Sequence, residues 1–141
     1  MASTRSAVFS KLDTLLSAIT GIISHGHGAQ WPDLTRYTQA QLPLAWAVHG
    51  EDNVEVIPLR YRHIEAIAIR IYYLDWDVQS DPSDSENWIE KLIEKVESDS
   101  TLTGEVNFVE LKGIKQVERN YPISWVECRF RVAYHTEFAS V

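Results

Sequence analysis

The sequence predicts an α+β fold, a mostly antiparallel four- to five-stranded sheet with two helices packed on it. Three observations carry this. Within Tyr121 to Glu137 alternate residues are apolar (Val126, Cys128, Phe130, Val132, Tyr134), the period of a strand with one face on a core. From His63 to Leu74, Ile67, Ile69 and Ile71 mark one face, and Ala66, Ala68, Arg70 and Tyr72 the other. Both faces are partly apolar, so this strand is expected to be central or covered on both sides. Two further stretches repeat their apolar residues every three to four positions, as a helix on a sheet requires.

The first of these runs from caps at Ser3 and Thr4 to about Ile19, with Val8, Leu12, Leu15, Leu16 and Ile19 in one stripe. Gly21 weakens the helix, and Ser24-His25-Gly26-His27-Gly28 reads as the solvated, glycine-rich loop that ends it. Trp31 to Tyr37 suits a short helical turn and a connector. Leu42 to Val48 is a short apolar run, best explained as a buried strand, and His49 to Asn53 supplies turn residues. A strand starting at Val54 is interrupted by Pro58, which implies an edge, a bulge or a break.

After the central strand, Asp75-Trp76-Asp77 opens a loop with Asp81, Pro82, Asp84 and Glu86, read as a solvated strand-to-helix connection. Ser83 and Glu86 fit a capping box. The second helix then runs to about Ser98, with Trp88, Ile89, Leu92, Ile93 and Val96 toward the sheet and Glu90, Lys91, Glu94, Lys95 and Glu97 toward water. Gly104 to Arg119 is a polar-rich strand. Asn120-Tyr121-Pro122 separates it from the last strand, giving a hairpin with a loop of three to five residues.

Composition narrows the function. With 141 residues, the chain has the size of a single domain, taken as residues 1–141. A net charge of -7 argues against nucleic-acid binding as a main role, because phosphate recognition needs clustered cations. One cysteine, Cys128, allows no internal disulfide and fits a reducing compartment; its place on an apolar strand face reads as core rather than as a reactive thiol. No apolar run approaches the ~20 residues of a membrane span, and no signal peptide is expected.

Candidate sites for chemistry are few. His25 and His27 invite a metal, but no third or fourth ligand stands near them in sequence. Asp75, Asp77, Gln79, Asp81 and Glu86 fall at positions of a calcium loop, yet Ser80 stands where the sharp turn requires glycine. No nucleophile elbow, phosphate loop or zinc quartet occurs. His63 and His135 lie in predicted strands and could meet across the sheet, but no catalytic set assembles. No catalytic residue, cofactor or metal is expected. More telling are residues that a monomer would not need. Trp125, Glu127, Arg129 and Arg131 decorate the polar face of the last strand, and Trp76 sits in the acidic loop. Aromatic residues beside arginines are enriched at protein interfaces.

The strand His63–Leu74 running into Asp75-Trp76-Asp77, the helix Glu86–Glu97 and the strand Ile123–Tyr134 follow a first helix and a short strand. From Thr4 to Glu137 this layout resembles that of the tail terminator (tail completion) proteins of long-tailed bacteriophages and of related neck proteins. The tryptophan content and the His-Gly-His-Gly turn depart from it. The resemblance implies a non-enzymatic structural protein of the virion tail, assembled in the host cytoplasm. It implies a homo-oligomeric ring, typically a hexamer, that ends the tail tube and joins it to the neck or connector proteins, with DNA passing through the bore unbound. A closed ring needs two different patches on each subunit. Trp125, Glu127, Arg129 and Arg131 would form one, and Asp75, Trp76, Asp77, Asp81 and Asp84 the other. Another neck or head-closure adaptor ring shares the layout. A small ligand-binding or enzymatic α+β domain, with a pocket between helix and sheet, is the alternative of a different class.

Overall fold

A computed structural model describes residues 5–74, 82–102, 106–115, 119–120 and 123–137. Helix α1 (Arg5–Ser17) precedes β1 (Ser24–Gly28), and two short 3-10 turns, Leu34–Arg36 and Gln39–Gln41, lead into β2 (Leu44–Ile57) and β3 (Arg60–Leu74). Helix α2 (Pro82–Ser98) is followed by β4 (Phe108–Lys115), the two-residue β5 (Arg119–Asn120) and β6 (Ile123–Glu137). The sheet runs β1-β2-β3-β6-β4, with β5 also on β6. Every pair is antiparallel except β1 with β2. This is the expected α+β fold.

Both helices lie on one face of the sheet. Val8, Phe9, Leu12, Leu15 and Leu16 of α1 and Leu92 and Val96 of α2 bury against Ile67, Ile69 and Ile71 of β3 and Val126, Cys128, Phe130, Val132 and Tyr134 of β6. The two longest strands pair along their whole lengths, from Arg60↔Glu137 to Leu74↔Ile123. β3 is central, between β2 and β6, as its two half-apolar faces predict. The α1 stripe outlasts the helix by one turn. Ala18 and Ile19 donate to the carbonyls of Leu15 and Leu16, and the chain turns at Gly21, whose φ of 94° suits glycine. The Ser83–Glu86 capping box lies outside the described side chains.

Three expectations are corrected. Residues 24–28 are a strand and not a loop. Histidines and glycines alternate there, so His25 reaches Asp13 of α1 (Nδ1 to Oδ1, 2.9 Å) and His27 stacks 5.6 Å from Phe9. The glycines leave room for Trp46: a Cβ on Gly26 would lie 2.5 Å from its ring. Residues 49–53 are likewise not a loop. β2 continues through a bulge between His49↔Ile67 and Asp52↔Glu65, two residues opposing the single Ala66. A Cβ on Gly50 would come within 2.7 Å of the Ala66 carbonyl oxygen, so glycine is what lets the bulge close. Pro58 ends β2 at the turn into β3. Third, His63 and His135 do not meet. His63 pairs with Tyr134 on the helix side, whereas His135 pairs with Arg62 on the other side.

Candidate functional site

The sheet face opposite the helices divides into a covered half and an open half. Over the covered half lies the connector before β2. Leu34, Tyr37, Trp46, Leu74, Ile123 and Trp125 pack around the buried Leu42, Leu44 and Tyr72, forming a second, smaller core. Trp46 donates its indole N–H to the Gln30 carbonyl at 3.0 Å. Arg70, projecting from β3, has its guanidinium carbon 3.9 Å from the ring centroid of Trp31 and 5.2 Å from that of Trp125.

Arg70 also donates from Nε to Glu127 Oε1 at 2.7 Å, and Arg129 donates from its own Nε to Glu127 Oε2 at 3.0 Å. Glu127 is 3% exposed. Burial alone would push its carboxyl up, but the two guanidiniums outweigh that and hold it below the usual carboxylate range. Glu127 is therefore the anchor of an arginine pair rather than an open acid.

Past Arg129, among the described residues, the cover ends. Val48, Gly50, Ile64, Ala66 and Ala68 floor a groove of about 410 Å³, rimmed on one side by Lys112, Arg129 and Arg131 and on the other by Glu51 and Asn53. Small residues on β3 set its depth. Arg131 donates from Nη2 to Glu110 Oε2 at 2.7 Å across the β4–β6 pair, and its Nε is buried without a partner. The Arg129 side chain remains 58% exposed. The groove thus sets an apolar floor beside Lys112, Arg129 and Arg131 in a chain of net charge -7. Among the described residues it holds no cluster of converging acids, bases and nucleophiles.

Of the residues expected to form the polar face of the last strand, Arg129 and Arg131 reach this groove, Glu127 fixes Arg129 beneath it, and Trp125 is half-buried in the neighbouring small core. Asp75, Trp76, Asp77 and Asp81, with the calcium-loop positions among them, lie outside the described residues, and Asp84 is described only as backbone of α2. Sequence reasoning missed Val48, Gly50, Ile64 and Lys112. The alanines at 66 and 68 were the available signal, since a strand covered on both faces ordinarily carries larger side chains there.

A second polar constellation lies inside the helix-bearing side. Thr136 Oγ1 is 2.8 Å from His63 Nε2, and His63 Nδ1 is 2.9 Å from Asp52 Oδ2. With the imidazole proton on Nδ1, His63 donates to Asp52 and accepts the Thr136 hydroxyl. Tyr134, stacked 4.6 Å from His63, donates to Glu65 Oε2 at 3.1 Å, and Arg5 donates to Glu65 Oε1 at 2.8 Å. The order hydroxyl–imidazole–carboxylate is that of a nucleophile and its base. Yet Thr136 is 3% and His63 7% exposed, and the groove opens on the opposite face. The network ties the bulge, β3, β6 and the start of α1 together.

Among the described residues no group of three or more His, Cys, Asp or Glu is placed to hold a metal ion, and no helix is long and apolar enough to cross a membrane. Cys128 is buried, which pushes its thiol up to about 11.

No protein-family model and no curated protein matches the chain. Among solved structures, it is similar to a chain from the virion of a native gene transfer agent particle. The identity is 11% and the TM-score 0.37, over 94% of this chain and 95% of that one.

Proposed function

We propose that this protein is a non-enzymatic virion subunit of the tail terminator or neck class, folded as one domain over residues 1–141, which assembles through the open half of its sheet. The observation that carries this reading is the groove itself: an apolar floor with a cationic rim, uncovered among the described residues, on a chain of net charge -7. The layout resemblance from Thr4 to Glu137 supports the same reading. Arg129 and Arg131, set by Glu127 and Glu110, present charge to an acidic partner, and a second copy, with Asp75, Trp76, Asp77, Asp81 and Asp84, supplies one. Two different patches on each subunit make a heterologous contact, which closes into a ring such as a hexamer when the rotation allows. The finer role is termination of the tail tube and its attachment to the neck or connector, in the virion tail after assembly in the host cytoplasm. The acidic surplus lets DNA pass without adhering. No cofactor takes part.

The test is the assembled mass of the full chain. Light scattering is expected to show rings for the native protein and monomers for the Arg129→Glu, Arg131→Glu double variant and for Ala66→Arg, which blocks the groove floor. Circular dichroism checks that both variants remain folded. Folded variants whose rings are intact would remove the groove from the interface. A native protein that stays monomeric at high concentration and takes up a small apolar ligand would favour a binding domain instead.

A further inference from the structure

We infer that copies of this chain join edge to edge, the free part of β2 in one copy pairing with β4 of the next to continue the sheet across the interface. This rests on the assembly reading above but uses the two sheet edges, which share Glu51 and Lys112 with the rim of the groove. β1 pairs with β2 only as far as Gly28↔Val48, so among the described residues no strand pairs with that edge of β2 from His49 to Ile57. At the other end of the sheet β4 pairs with β6 on one side only. On its outer side the Val109 N–H bonds to the Ser100 carbonyl at 2.7 Å, leaving Glu110 to Lys115 open among the described residues. Unpaired edges are templates for another strand.

Three features make the occupant of each edge a copy of the other. The strands β2, β3, β6 and β4 alternate in direction, so β2 and β4 are antiparallel to each other. A copy set head to tail therefore brings β4 against the next β2 in antiparallel sense, extending the alternation without a break. The apolar residues match by face as well. Val54 and Val56 pair with His63 and Tyr61, and Leu111 and Ile114 with Phe130 and Cys128, so all four point to the helix-bearing side. They are 53%, 69%, 38% and 46% exposed, and edge pairing would close them into one strip between the helices of adjacent copies. Charge completes the match. Glu51, Asp52 and Glu55 lie on the free part of β2, and β4 carries Lys112 and Lys115 against Glu110. Glu55 is 3.8 Å from Arg62 and Lys112 3.7 Å from Glu110 within the subunit, which leaves the β2 edge acidic and the β4 edge basic. Two β2 edges repel each other, while β2 and β4 attract, which favours the heterologous contact over a two-fold dimer.

Cross-linking reads this out directly, because the one native thiol, Cys128, is buried. Full-length Glu55→Cys and Lys112→Cys proteins are treated separately, mixed, and as the double variant, with a short bis-maleimide, alongside the native mass by light scattering. The expected result is no cross-link in either single variant, a dimer in the mixture, and a ladder ending in the ring in the double variant. Self-linking of a single variant would show a two-fold contact and overturn the inference. So would an unlinked mixture while the native protein forms rings, a result that leaves the groove as the interface. A monomeric native protein without cross-links would overturn both readings.

Discussion

Two buried glutamates in this protein serve opposite energetic ends, and their neighbours decide which. Glu127 is gripped by two arginines, and its folded-state pKa lies below the unfolded one. Its contribution to stability is present above about pH 4.5 and is lost as pH falls through the depressed value. Glu127→Gln leaves Arg70 charged and half-enclosed between Trp31 and Trp125, and is expected to cost on the order of 3 kcal/mol at pH 7 by urea denaturation. Glu65 is fully buried, and burial keeps its carboxyl above the usual range despite Arg5 and Tyr134. Ionised Glu65 is therefore a burden that grows as pH rises, and Arg5, half in water, loses little when released. Glu65→Gln is expected to change stability by no more than about 1 kcal/mol. His49, stacked 3.5 Å from Phe9, is depressed from 6.5 to about 4, first by burial and then by Arg5 and His27. Neutral His49 is favoured in the folded state, so its contribution is complete above pH 6.5 and lost as pH falls from there toward 4. Thermal melts across that window should fall for the native protein and flatten for His49→Phe, which keeps the stack and removes the titration.

Among the elements, β6 was the most legible and β1 the least. Alternation over Tyr121–Glu137 needs no neighbour to be recognised, because one buried face imposes period two on any strand. The apolar stripes of α1 and α2 were readable for the same reason, with Leu92 and Val96 fully enclosed as their spacing requires. β1 escaped notice because its side chains are histidine and glycine, which carry no hydrophobic signal. The period is nonetheless there, histidines toward α1 and glycines toward Trp46. Gly26→Ala is expected to push against that ring and cost about 1–3 kcal/mol, measured by chemical denaturation, with local loss of protection in hydrogen exchange over residues 24–28. The bulge at residues 50–51 looked like a loop because its residues are those of turns. A bulge and a turn use similar chemistry locally, and only the continued pairing beyond Asp52 separates them.

At the scale of the whole molecule, the helices cover the middle of one sheet face, leaving Val54, Val56, Leu111 and Ile114 exposed at its margins, and the connector before β2 covers half of the other. Among the described residues the open half and the two free edges are the surfaces on which the head-to-tail assembly proposed above rests. The α+β class, the central place of β3, the helix stripes and the arginines of β6 could be read from residue order, because each depends on periodicity along one segment. The cross-strand partners could not. Glu127 and Arg129 share a face two residues apart on β6, but Glu110 meets Arg131 and Glu127 meets Arg70 through strand register, which is set by a bulge and by pairing between segments as much as 57 residues apart in the chain. The uncovered half of the sheet was equally out of reach, since what lies over a strand depends on where a distant connector comes to rest.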